Sequence, residues 1–153
     1  MNNEQSIDVL NALIVINNDR IEGYMTAAKE TEESDLKTLF AQFENTSHKC
    51  KGELVKEVQR LGGEPAEGTK TTGKIYRAWM DVKATLTGHD RKAILNSCEY
   101  GEDVAIESYD DTLNNESENI SAEQRMMLNA QLQLIKADHD KVKGLRDMLV
   151  EHA

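Results

Sequence analysis

Residues Leu95–Leu113, LNSCEYGEDVAIESYDDTL, decide the fold. Leu95, Cys98, Glu102, Ala105, Ile106, Tyr109 and Leu113 stand three or four apart, so they share one face of an α-helix. That face is apolar except for Glu102. A carboxylate that enters a core must be paired, hydrogen-bonded, protonated or metal-bound. The rest of the chain has to supply what meets it.

Outward from this stretch the chain reads as three more long helices. The first is predicted over 4–32, with the stripe Leu10, Leu13, Ile14, Asn17, Ile21, Tyr24, Ala28. The second is predicted over 34–62. Ser34 is its expected N-cap, and its stripe is Leu36, Phe40, Phe43, Ser47, Cys50, Leu54, Val58, Leu61. Gly62 and Gly63 stop it and Pro65 forbids continuation. The helix containing Glu102 spans 90–117. The last helix, 121–150, opens on a Ser121/Gln124 capping-box pattern. Its stripe is Leu128, Gln131, Ile135, Asp138, Val142, Leu145, Leu149. A helical pattern over 72–87, containing Trp79, sits in the connection between the second and third long helices. Residues 1–153 therefore make one all-α domain, a four-helix bundle.

Connection lengths give the topology. The first and last pairs are joined by short turns, so each pair is an antiparallel hairpin. Between the hairpins lie the 26 residues Glu64–His89. A helix of about 16 residues covers about 24 Å, and ten extended residues add roughly 35 Å. That is enough to return along the bundle, giving the ferritin-like order with one long crossover that contains a short helix. Simple up-and-down order, with the connection tucked across one end, is the alternative. An internal echo agrees with two related hairpins: Leu10, Leu13, Asn17, Ile21 and Tyr24 match Leu95, Cys98, Glu102, Ile106 and Tyr109.

Composition excludes several functions. A net charge of −10 repels nucleic-acid phosphates and anionic membrane surfaces. No apolar run approaches the ~20 residues of a membrane span. Residues Met1–Asp8 lack the basic start of a signal peptide. Two cysteines, Cys50 and Cys98, lie in helical stripes and read as buried thiols of a reducing compartment, so a cytoplasmic location is expected. A homodimer is the default assembly. The sequence shows no phosphate loop, Cys-x-x-Cys or nucleophile–base–acid set.

The chemistry, if any, lies at the polar centre of Asn17, Tyr24, Ser47, Cys50, Glu102 and Tyr109. Three states are open to Glu102. It can be a lone buried carboxyl with a raised pKa, hydrogen-bonded to Asn17 or a tyrosine hydroxyl. It can form an ion pair with His139. It can bind one metal together with Asp138 and His139. Glu44 and His48, at i, i+4, point away from the stripe and read as a solvated pair.

Several segments carry a family resemblance: Leu61-Gly62-Gly63-Glu64-Pro65, Arg77-Ala78-Trp79-Met80, Gly101-Glu102-Asp103 and the late His139. With this order of elements, nearly the whole chain resembles a bacterial ferritin-like family known only as a domain of unknown function. The wider superfamily includes bacterioferritins and rubrerythrins. The resemblance implies the bundle fold, a stress-linked role, and di-iron oxidation or iron handling. A di-iron site takes a Glu from each of two helices and Glu-x-x-His from each of the other two. Asn17, Ser47 and Cys50 stand where carboxylates and His are expected, and Lys136 stands three residues before His139. The expectation is thus a non-catalytic bundle with a degenerate metal site and no cofactor, acting by binding or self-association. The alternative is a metal-dependent oxidase or iron-binding protein holding iron or another divalent metal.

Overall fold

The computed structural model describes residues 3–68 and 91–151. Among the described residues there are four α-helices, a 3-10 turn and no strand. The helices are α1 (Asn3–Glu30), α2 (Ser34–Arg60), α3 (Arg91–Asn115) and α4 (Ala122–Glu151), with the turn Ser117–Asn119 before α4. The predicted helix over 72–87, the packing of Trp79, and His89 and His152 lie outside the described residues.

The predicted stripes run along the buried faces of their helices, with Ala28, Leu61, Ile106, Leu145 and Leu149 only half-buried. Leu36, Phe40, Phe43, Ser47, Cys50, Leu54 and Val58 are all buried along α2. Leu95, Cys98, Glu102, Ala105, Tyr109 and Leu113 do the same on α3. Tyr24 meets Phe40 and Phe43 with ring centroids 5.6 and 5.2 Å apart, a geometry worth about 0.5–1.5 kcal/mol per pair beyond burial.

Helix ends follow local chemistry. Gly62 takes the left-handed conformation, with φ +85°. Its N–H bonds to the Gln59 carbonyl at 3.0 Å, and the Gly63 N–H reaches the Val58 carbonyl at 2.9 Å. This 5→2 and 6→1 pattern is a Schellman stop. At the start of α4 the capping box closes both ways: Gln124 N–H donates to Ser121 Oγ at 3.0 Å, and Ser121 N–H donates to Gln124 Oε1 at 2.9 Å. The expected Ser34 cap is corrected. Ser34 is the first helical residue, and the cap position belongs to Glu33, whose side chain makes no capping bond. The Thr31 hydroxyl accepts the Glu33 N–H at 3.3 Å, which places the turn one residue earlier.

Hydrogen bonds between helices fix their directions. Ser6 donates to the Asn119 carbonyl at 2.5 Å, Asn17 to the Tyr109 hydroxyl at 2.9 Å, and Arg20 to Glu102 at 2.6 Å. Rising numbers on α1 meet falling numbers on the α3 side, so these helices are antiparallel. α2 and α4 are antiparallel for the same reason, since Gln124 donates to Glu57 at 2.9 Å and Gln131 to Glu53 at 3.0 Å. Arg91, first residue of α3, pairs with Glu33 at 2.9 Å and Asp35 at 2.8 Å, beside the start of α2. Beyond Gly63 the chain runs along α1: Asn11 donates to the Glu64 carbonyl at 3.0 Å, and Asn18 to the Gly68 carbonyl at 2.9 Å.

The close approach at Gly63 yields a test. A Cβ there would meet three atoms of the Ile7 side chain at 2.8–3.0 Å, whereas one at Gly144 meets nothing within 4 Å. Ile7 is β-branched and stiff. Gly63→Ala is expected to cost about 1–3 kcal/mol. Gly144→Ala, in a helix interior, should stabilise by about 0.5–1 kcal/mol. Urea denaturation of the two variants reads both signs, and a neutral Gly63→Ala would remove the close packing of this turn on α1.

Candidate functional site

At mid-height the four helices each send one polar side chain inward. Arg20 of α1 is fully buried. Its Nη2 donates to Glu102 Oε1 of α3 at 2.6 Å and to Asp138 Oδ2 of α4 at 3.3 Å. Its Nη1 donates to Ser47 Oγ of α2 at 2.5 Å. The Tyr24 hydroxyl, one turn along α1, donates a short hydrogen bond to the same Glu102 oxygen. The Arg20 guanidinium also lies 5.6 Å from the Tyr24 ring centroid, a cation–π distance.

A second polar layer lies on the α1 N-terminal side. Asn17 donates to the Tyr109 hydroxyl, which donates to Gln131 Oε1 at 2.7 Å. Gln131 in turn donates to Glu53 at 3.0 Å and to the Cys50 carbonyl at 3.4 Å. Apolar layers close the centre at both ends, with Leu10, Leu54 and Leu128 on one side and Phe40, Phe43 and Leu95 on the other.

The electrostatics follow from one cation facing two carboxylates. Burial works against the Arg20 charge, but Glu102, Tyr24 and Asp138 outweigh it, and the guanidinium holds its proton more tightly than usual. Burial pushes Glu102 above the usual carboxylate range, against the opposing pull of Arg20 and the Tyr24 hydrogen bond. Burial raises Asp138 as well, again opposed by Arg20. Burial also raises Tyr24, Tyr109 and Cys98, and it pushes the Cys50 thiol up to about 11. Such thiols and phenols stay protonated at neutral pH and are poor nucleophiles.

The polar-centre residues Asn17, Tyr24, Ser47, Cys50, Glu102 and Tyr109 are all buried. Cys50 contributes only its carbonyl to the network. The trio Glu102, Asp138 and His139 is not brought together around one point. Glu102 and Asp138 meet at Arg20, while His139 Nε2 lies 2.8 Å from Asp103 Oδ1 and 3.7 Å from Glu99 Oε1. The partners of Glu102 are therefore Arg20 and the Tyr24 hydroxyl, the expected tyrosine bond together with a cation that was not expected, and neither His139 nor Asn17 is bonded to it. Glu44 and His48 form a 3.2 Å pair on the surface.

Arg20 is the residue that sequence reasoning missed. It follows Leu13 by seven and precedes Tyr24 by four, so it belongs to the buried face. The stripe drawn through Ile21 passed beside it. A carboxylate on the facing apolar stripe was itself the signal that a cation was due at this depth.

An all-helical bundle centred on a buried guanidinium–carboxylate cluster is the class that fold and site define. A family model described as "Domain of unknown function (DUF2383)" matches residues 5–115, and the chain belongs to that family. The match covers α1 to α3, including Arg20, Ser47 and Glu102, and stops before Asp138 and His139. Comparison with curated proteins gives no match.

The raised carboxyls set a pH dependence. A folded-state pKa above the unfolded value means that the folded chain keeps the proton to higher pH. Glu102 then favours folding most fully below the ordinary carboxylate range near pH 4, and less as pH rises through its folded value. Glu102→Gln keeps the volume and leaves Arg20 balanced by Asp138. Because a raised pKa means that the charged carboxylate costs stability, the variant should gain on the parent as the pH rises from about 4 to 7. Urea denaturation across that range measures it. A variant several kcal/mol less stable at pH 7 would show that the Glu102 charge supports the fold.

Proposed function

We propose that the chain is a ferritin-like bundle whose metal centre has been replaced by its own cation, Arg20, so that it works as a non-catalytic, stress-linked binding or self-associating protein. One observation carries this reading. The guanidinium lies at the meeting point of the four helices, where di-iron carboxylate proteins hold their metals, and it engages both nearby carboxylates. The residues do not fit a di-iron set. Asn17 brings an amide and Ser47 a hydroxyl, and His139 faces another seam.

The helix directions support the ferritin-like order. α2 and α3 both begin beside the Glu33, Asp35 and Arg91 cluster, so the two helices start at the same end of the bundle, as they do in the ferritin-like order. The buried free thiols Cys50 and Cys98 support a reducing, cytoplasmic setting. No helix among the described residues is long and apolar enough to cross a membrane. The exposed side chains Met126, Leu134 and Met148 share one outer arc of α4 and offer a surface for a second copy.

The test is iron chemistry. Protein purified without chelator is expected to carry substoichiometric iron. Added ferrous iron should oxidise in air no faster than in buffer alone. Two irons per chain with rapid oxidation, both lost in Glu102→Gln, would overturn the reading in favour of a metal-dependent oxidase.

A further inference from the structure

We propose that Glu99, Asp103 and His139 form a binding site for one divalent transition-metal cation on the seam between α3 and α4, apart from the arginine-filled centre. Glu99 and Asp103 stand four apart on α3 and so share a face. His139 reaches that face from α4. One ligand atom from each lies within 4.8 Å of the other two. The His139 Nε2 distances of 2.8 Å to Asp103 and 3.7 Å to Glu99 bracket the edge of a tetrahedron, about 3.3 Å for metal–ligand bonds of ~2.0–2.1 Å.

The surroundings point the same way. His139 Nε2 and Glu99 Oε2 are shielded from solvent, Nε2 beside Asp103 and Oε2 beside Arg146. Asp103 Oδ1 lies 2.8 Å from Nε2, so a metal held here would displace that contact and take both atoms as ligands. The other ring nitrogen, Nδ1, lies 3.4 Å from Asp140 Oδ1. With an Nδ1–H donated to that carboxylate, the Nε2 lone pair would be left for a metal. Glu99 is arranged alike. Its Oε1 faces His139, and its other oxygen meets the Arg146 guanidinium, the kind of outer partner that holds a ligating carboxylate in place. Asp103 is 59 % exposed, which leaves an entry path and an open coordination position. One imidazole and two carboxylates suit Zn²⁺, Mn²⁺ or Fe²⁺, whereas Ca²⁺ prefers six or more oxygens.

Zn²⁺ alone is the test ligand, titrated calorimetrically into the tag-free, chelator-stripped full chain. The expected result is saturable binding of one ion per chain. His139→Gln and Asp103→Asn should each weaken it by at least about tenfold, and Asp140→Asn by about 10–100-fold. Asp103 is exposed, so its variant keeps the fold, and far-ultraviolet circular dichroism confirms this. Glu102→Gln and His48→Gln should bind as the parent does. Binding that survives both His139→Gln and Asp103→Asn, or no saturable binding to the parent, overturns the site. Binding lost in Glu102→Gln but kept in His139→Gln overturns it too, and places the metal at the bundle centre.

Discussion

The structure depends on one buried guanidinium. Arg20 comes from α1, and its partners Ser47, Glu102 and Asp138 come from α2, α3 and α4. One cation therefore touches every long helix at one height. A slip of any helix by one residue would rotate its polar group by about 100° and leave charge in the core without a partner. The cluster contributes little as a source of stability, since the desolvation of three charges offsets their attraction. Its effect is to make one register of the four helices acceptable and its neighbours costly.

The surrounding layers make that constraint tight. Leu10, Leu54 and Leu128 on one side, with Phe40, Phe43 and Leu95 on the other, exclude water from the centre. The Asn17–Tyr109–Gln131 chain adds a second set of cross-helix bonds next to the first. Inside such walls Glu102 and Asp138 are held above their ordinary pKa, and the thiols and phenols stay protonated. On the α3–α4 seam, Glu99, Asp103 and His139 lie nearer the surface.

Much of the bundle was legible in the sequence, because its periodic stripes run along the buried faces. The Gly62–Gly63 stop and the Ser121/Gln124 box are visible in the chain because local chemistry alone decides them. The site was legible by half. Glu102 and Asp138 stood out as carboxylates on apolar stripes. Arg20 did not, because its long side chain reaches in from the shoulder of the α1 stripe beside Ile21. His139 was grouped with Asp138 by sequence proximity. Adjacent helical residues point about 100° apart, so they could not both face the centre. Glu99 and Asp103 lie about 60–100° round α3 from Glu102, on the flank of the stripe, and only the packing of α4 shows what they face.

A double-mutant cycle between Arg20 and Glu102 tests the central claim most directly. Arg20→Met removes the cation and leaves two buried carboxylates, at an expected cost of about 3–5 kcal/mol at neutral pH. Adding Glu102→Gln should recover a large part of that loss, because one of the stranded charges goes with it. The two changes should be non-additive by about 0.5–3 kcal/mol. An Arg20→Met variant as stable as the parent, or two effects that simply add, would contradict a bundle organised around this cation.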